Sequence, residues 1–127
     1  MTRTRLFSAP HAVAILNEAK ARQLGPLDEG RLFRVLDEAG FTHHEIGKWY
    51  GEMPTHIRWR IELLDLIPAG RSAVEEGRVP VGLGWYIALL GEENQRLMLA
   101  RWARGDFADV YEAQNCARAI RNDSRSA

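Results

Sequence analysis

The chain has 127 residues, 46% of them hydrophobic, with 17 basic and 17 acidic side chains and a formal net charge of zero. One domain of this size can bury a core but has no room for a catalytic domain beside a binding domain, and balanced charge leaves attraction for phosphate to local asymmetry. The single cysteine, Cys116, excludes an intrachain disulfide and a cysteine-based metal site, and no apolar run approaches the roughly 20 residues of a membrane span.

The opening MTRTRLFSAPH lacks the apolar core of a secretion signal, so the expected setting is the cytoplasm, at the nucleoid if DNA is the partner. Before Asp28 the only acid is Glu18, against Arg3, Arg5, Lys20 and Arg22. Such a basic start can run along a phosphate backbone, although residues 1 to about 8 are expected to be untethered. Pro10 to Arg22 carries Val13, Ile15, Leu16 and Ala19 at helical spacing, with Ser8 as a cap and Gly25 near the end. Asp28 to Ala39 repeats the pattern through Leu32, Phe33, Val35 and Leu36, and closes at Gly40.

The next stretch, Phe41 to Ile61, reads as two short helices joined at Gly51. Thr42 suits an N-cap, and Glu45 three residues later completes a capping box. Ile46 and Tyr50 share one face of the first helix, while Gly47 is the small residue at which a second helix can cross closely. Alanine at 47 is expected to be tolerated, as the better helix former, and leucine to overpack. Gly51 supplies the backbone freedom of the turn, Pro54 suits a first helical position, and Ile57, Ile61 and Leu64 form an inward stripe. The outward face is then left to Thr55, His56, Arg58 and Trp59, and the run His56, Arg58, Arg60 contains no acid between Thr55 and Ile61. Those groups can donate hydrogen bonds, stack or attract phosphate, as a helix in a major groove requires. The candidate DNA contacts are therefore Pro54, Thr55, His56, Arg58, Trp59 and Arg60 on the second helix. Thr42, His43, His44 and Lys48 join them on the first.

Ile67-Pro68 interrupts the pattern. Ala69 to Glu76 makes a short helix ended by Gly77, Val81 to Leu90 an apolar one ended by Gly91, and Glu92 to Arg104 an amphipathic one stopped by Gly105. Asp106 or Asp109 opens a last helix through Val110, Tyr111, Ala113, Ala117 and Ile120, before a polar tail from Asn122. Its apolar side either closes the core or is a candidate surface for a homodimer. No segment alternates with period two long enough to make a strand, so the fold class is all-α, with seven or eight helices in one domain containing a helix-turn-helix.

Chemistry other than binding finds little support. His43-His44 beside Glu45 suggests a metal, but adjacent histidines on a helix point in different directions and no second ligand pair stands at i, i+4 spacing. Ser8, Ser72 and Cys116 lack an adjacent base, and the pairs Glu75-Glu76 and Glu92-Glu93 read as solvated helix ends. No catalytic residue, cofactor or metal is expected.

Order and punctuation over Leu24 to Phe107 are more specific than a generic corner. Glu52 is polar after the turn glycine, RIELLDLIP leads out of the second helix into a Leu-x-x-Pro break, and Gly77, Val79, Val81, Gly82 and Ala88-Leu89-Leu90 follow, then Glu93 to Arg101. This run resembles the central DNA-binding domain of ParB and KorB proteins, bacterial partition factors and related repressors. The resemblance implies sequence-specific binding of double-stranded DNA, in partition or repression on a mobile element or chromosome. It also divides the chain into an N-terminal arm and short helix at 1–23, a ParB/KorB-like domain at 24–107, and a C-terminal helix and tail at 108–127.

Two places depart from the family. Met53 stands where it carries a small hydroxyl cap, and Gly82-Leu83-Gly84-Trp85 where its next helix opens Gly-His-Ala-Arg. Members carry a nucleotide-binding domain before this one, whereas the first 23 residues here hold no Gly-rich phosphate loop, so action without nucleotide is expected. The alternative reading is a protein-protein adaptor that keeps the fold without reading DNA, consistent with neutral charge and the apolar Met53, Trp85 and Tyr86.

Overall fold

A computed structural model describes residues 5–126; Arg3, part of the basic start, lies outside the described residues. The described residues form α-helices and one short 3₁₀ turn, with no strand among them. In chain order the helices are α1 (Ala9–Arg22), α2 (Pro26–Glu38), α3 (His43–Tyr50), α4 (Pro54–Glu62), α5 (Pro68–Glu75), α6 (Val81–Ala88), α7 (Glu92–Ala103) and α8 (Val110–Ser126). The 3₁₀ turn, Leu63–Asp65, follows α4. None of these helices is long and apolar enough to cross a membrane. The chain divides into two compact units, Met1–Ile61 and Glu62–Ala127.

In the first unit, Ala12, Leu16, Phe33, Leu36, Phe41, Ile46 and Ile57 are essentially inaccessible and make the core between its helices. Local chemistry sets the ends. The Ser8 hydroxyl accepts the His11 N–H at 3.3 Å, and α1 stops where Gln23 turns left-handed at φ 55°. Pro26 opens α2 two residues ahead of the expected Asp28, because proline fits the first helical position, where its missing N–H is not needed. Within the stretch expected to be untethered, Leu6 and Phe7 are held. Leu6 N–H donates to the Ala39 carbonyl at 2.9 Å, and the Phe7 ring packs against His11 and Phe41.

In the second unit, Leu63, Leu66, Leu83, Ile87, Met98, Ala113 and Ala117 are buried. Here Pro68 starts a helix and does not merely interrupt one, since Ile67 is extended and leaves proline at the first position of α5. Gln95, 3% exposed, takes the Ile67 N–H on its oxygen at 2.8 Å and donates to the Asp65 and Leu90 carbonyls at 3.1 and 3.0 Å. One neutral side chain thereby satisfies three backbone groups at the ends of neighbouring elements. α8 packs on α6 and α7 through Ala113 and Ala117. Ala113 and Ala117 of its apolar side close this unit's own core while Tyr111 of the same side is 71% exposed, and the helix continues to Ser126, past the Asn122 start of the expected tail.

Candidate nucleic-acid interface

The corner of α3 and α4 is locally over-determined. Thr42 Oγ1 accepts the Glu45 N–H at 3.0 Å while the Thr42 N–H donates to Glu45 Oε1 at 3.0 Å, so both halves of the capping box form. The Thr42 N–H bond does most to hold the Glu45 carboxyl below the ordinary range, and Arg5, paired with it, adds to the effect. α3 ends at Gly51, whose φ of 83° is left-handed, and the Gly47 carbonyl accepts the N–H groups of Gly51 and Glu52 at 2.8 and 2.9 Å. The Met53 carbonyl accepts from His56 and Ile57, so α4 begins at Pro54 with a methionine in the capping position and no hydroxyl to serve its first turn.

The turn folds back on Gly47 more tightly than sequence spacing suggests. A Cβ there would lie 2.5 Å from the Glu52 carbonyl oxygen and 3.4 Å from backbone atoms of Met53 and Pro54. Backbone cannot swing aside as a side chain can, so the expected tolerance of alanine at 47 is overturned. Glycine is required here for space, and helix propensity is the smaller effect.

On α4, Thr55 and Arg58 are exposed, Trp59 is 41% exposed and Met53, just before the helix, is 70% exposed. Pro54 is half-buried, and on α3 the residues Thr42, His44 and Lys48 are exposed. His43 turns toward α2, its Nε2 lying 3.2 Å from Asp37 Oδ1.

His56 and Arg60 do not share the outward face assigned to them above. They stand one helical turn apart along an edge of the stripe that buries Ile57, and each side chain is only 22% exposed. What draws them inward is Glu29 in the first turn of α2. Its carboxylate accepts Arg60 Nε at 3.1 Å and the Tyr50 hydroxyl at 2.6 Å, and His56 Nε2 lies 3.9 Å from it. Burial, then the bond to Glu29, push the Tyr50 phenol upward. Burial, then the positive charge of Arg60, push the His56 imidazole down, so it is neutral at neutral pH. Lys20 adds a cation 4.3 Å from the Tyr50 ring centre and 3.8 Å from the Glu52 carboxylate. Glu29 went unremarked in the sequence because an acid in a first helical turn already has a sufficient explanation in the helix dipole. Only the crossing of α2 with the corner reveals its second partner set.

No protein-family model matches the chain. It is 25% identical over 83 residues to the chromosome-partitioning protein Spo0J of Thermus thermophilus, a match covering 65% of this chain and 31% of that relative. The chain thus matches about a third of the length of that protein. Among solved structures it is similar to the DNA-binding domain of the chromosome-partitioning protein ParB complexed to the centromeric parS site, with a TM-score of 0.76 at 23% identity. That likeness covers 95% of this chain and 85% of the other. The all-helical fold is therefore that of the ParB DNA-binding domain, as the resemblance in the sequence implies.

Proposed function

We propose that the chain binds double-stranded DNA sequence-specifically, laying α4 in the major groove, and acts in partition or repression as a binding protein, not an enzyme. The observation that carries this is a doubly capped, glycine-closed corner that presents Thr55, Arg58 and Trp59 together, within a fold whose solved counterpart is described on its DNA site. Thr55 and Arg58 lie in the N-terminal half of α4, the part of a recognition helix that reaches base edges, and arginine can grip O6 and N7 of guanine with two bonds. Lys48 and His44 on α3 supply phosphate contacts beside it. A neutral chain with one corner makes few such contacts, so two copies on a two-fold site are needed for useful affinity, each adding its binding energy less the cost of association. Ala113 and Ala117 on the apolar side of α8 are buried within their own unit, while Tyr111 on the same side is exposed, so α8 stays a candidate for part of that contact.

The test is selection of bound sequences from random duplex, followed by titration at rising salt. A recovered two-fold site, two copies per duplex by sedimentation, a steep loss of affinity with salt and indifference to added CTP are expected. Arg58→Ala should lose about 10- to 100-fold in affinity for the selected site, the equivalent of roughly 1–3 kcal/mol, with its melting temperature unchanged. No enrichment, or binding that ignores salt, would overturn the reading in favour of an apolar protein interface.

A further inference from the structure

Arg60 carries the charge that a DNA-facing helix uses, yet its Nε is bonded to a carboxylate that is itself only 14% exposed. The second carboxylate oxygen is taken by the Tyr50 hydroxyl, and the buried Nε2 of His56, which has no hydrogen-bond partner, faces the same group. One side chain of α2 therefore holds the last residue of α3 and Arg60 of α4, with His56 facing it. In so sheltered a place a charge-assisted bond is stronger than on the surface, and pulling Arg60 out would strand Glu29 with an unbalanced charge.

Resting on the DNA reading above, we propose that Glu29 is a selectivity residue: it seats α4 through Tyr50 and Arg60, and it withholds the Arg60 charge from the phosphate backbone. Attraction to arbitrary duplex grows with every cation that reaches a phosphate, each adding about 0.9 to the slope of log affinity against log salt. In a chain with a net charge of zero, one withheld cation is a large share of that attraction. Arg58, on the exposed side of the same helix, is left to discriminate bases. Specific binding is thus favoured over non-specific binding without any added contact to the site.

The experiment measures salt slopes of the full chain on the selected duplex and on an unrelated duplex, with folding followed by circular dichroism. Arg60→Gln should leave both slopes unchanged, whereas Lys48→Gln, at a proposed phosphate contact, should lower the slope by about one contact. Glu29→Gln should steepen the slope on unrelated duplex by about one contact and shrink the preference for the selected site several-fold. Glu29→Gln combined with Arg60→Gln should restore the parent slope. Glu38→Gln, which breaks the Arg34–Glu38 pair on the solvent side of α2, controls for removing an acid in general and should change neither slope. A fall in slope for Arg60→Gln equal to that for Lys48→Gln would overturn the role of Glu29 alone, and so would a folded Glu29→Gln with parent slopes. Should Glu29→Gln unfold, Arg60→Gln decides by itself. A parent chain that shows no salt-dependent duplex binding overturns the DNA reading and this inference together.

Discussion

The two units solve one problem, joining short helices at close quarters, with opposite chemistry. In the first, the Glu29 carboxylate accepts from a phenol and a guanidinium, with an imidazole facing it, beside the exposed side of α4. In the second, a neutral amide, Gln95, is buried at 3% exposure and spends its bonds on backbone groups. Both units also place a glycine at a tight approach, but a Cβ at Gly47 would meet backbone whereas one at Gly84 would lie 2.7 Å from a methyl of Val74. Charge near a surface can respond to salt, pH and a polyanion. An amide paired to backbone can only hold, so on the proposed function the second unit is scaffold and the first meets the DNA.

The glycines give the sharpest way to break this comparison. Gly47→Ala should destabilise by about 3 kcal/mol, the upper end for overpacking, because the Glu52 carbonyl cannot move without undoing the turn. Gly84→Ala should cost about half as much, since a valine side chain can move aside where a backbone carbonyl cannot. Denaturant melts of the two variants rank them, and equal losses would remove the distinction between backbone and side-chain approach. Next in size, Gln95→Leu should lose about 2–3 kcal/mol by stranding buried backbone groups, while leaving the salt slope of duplex binding untouched. A changed slope for that variant would mean that the second unit is more than scaffold.

Thr42→Ala removes half of the capping box and should cost about 1 kcal/mol, with faster amide exchange at the start of α3 and none in α7. The smallest effect is the dependence on pH. The folded pKa of His56 lies below its ordinary 6.5, so as pH falls between those two values the unfolded chain binds the proton first. The stability His56 contributes is therefore present above pH about 6.5 and declines as pH falls toward the folded pKa. Hydrogen exchange followed from about pH 7 to 5 should show α3 and α4 opening more readily, and His56→Gln should flatten that trend. An unchanged trend in the variant would place the sensitive group elsewhere.

Residue patterns alone settled most features that depend on neighbours along the chain, though not the starts of α2 at Pro26 and α5 at Pro68. The all-helical class, the Thr42–Glu45 box, the left-handed Gly51 and the start of α4 at Pro54 are local matters of capping, φ and a missing N–H, and the resemblance to the ParB domain rests on the same punctuation. Tertiary structure decided what depends on distance across the fold. Periodicity places His56 and Arg60 at the edge of the apolar stripe of α4, but not which way they lean, and the answer lies in a carboxylate 31 positions before Arg60. Gly47 likewise reads as a helix crossing from sequence, while its actual neighbour is the carbonyl of the turn that follows it. A helical pattern reports which side of each segment is apolar. It does not report which charged group of another helix will stand at the border of that side, and on the proposed function that border separates the residues offered to DNA from those held back.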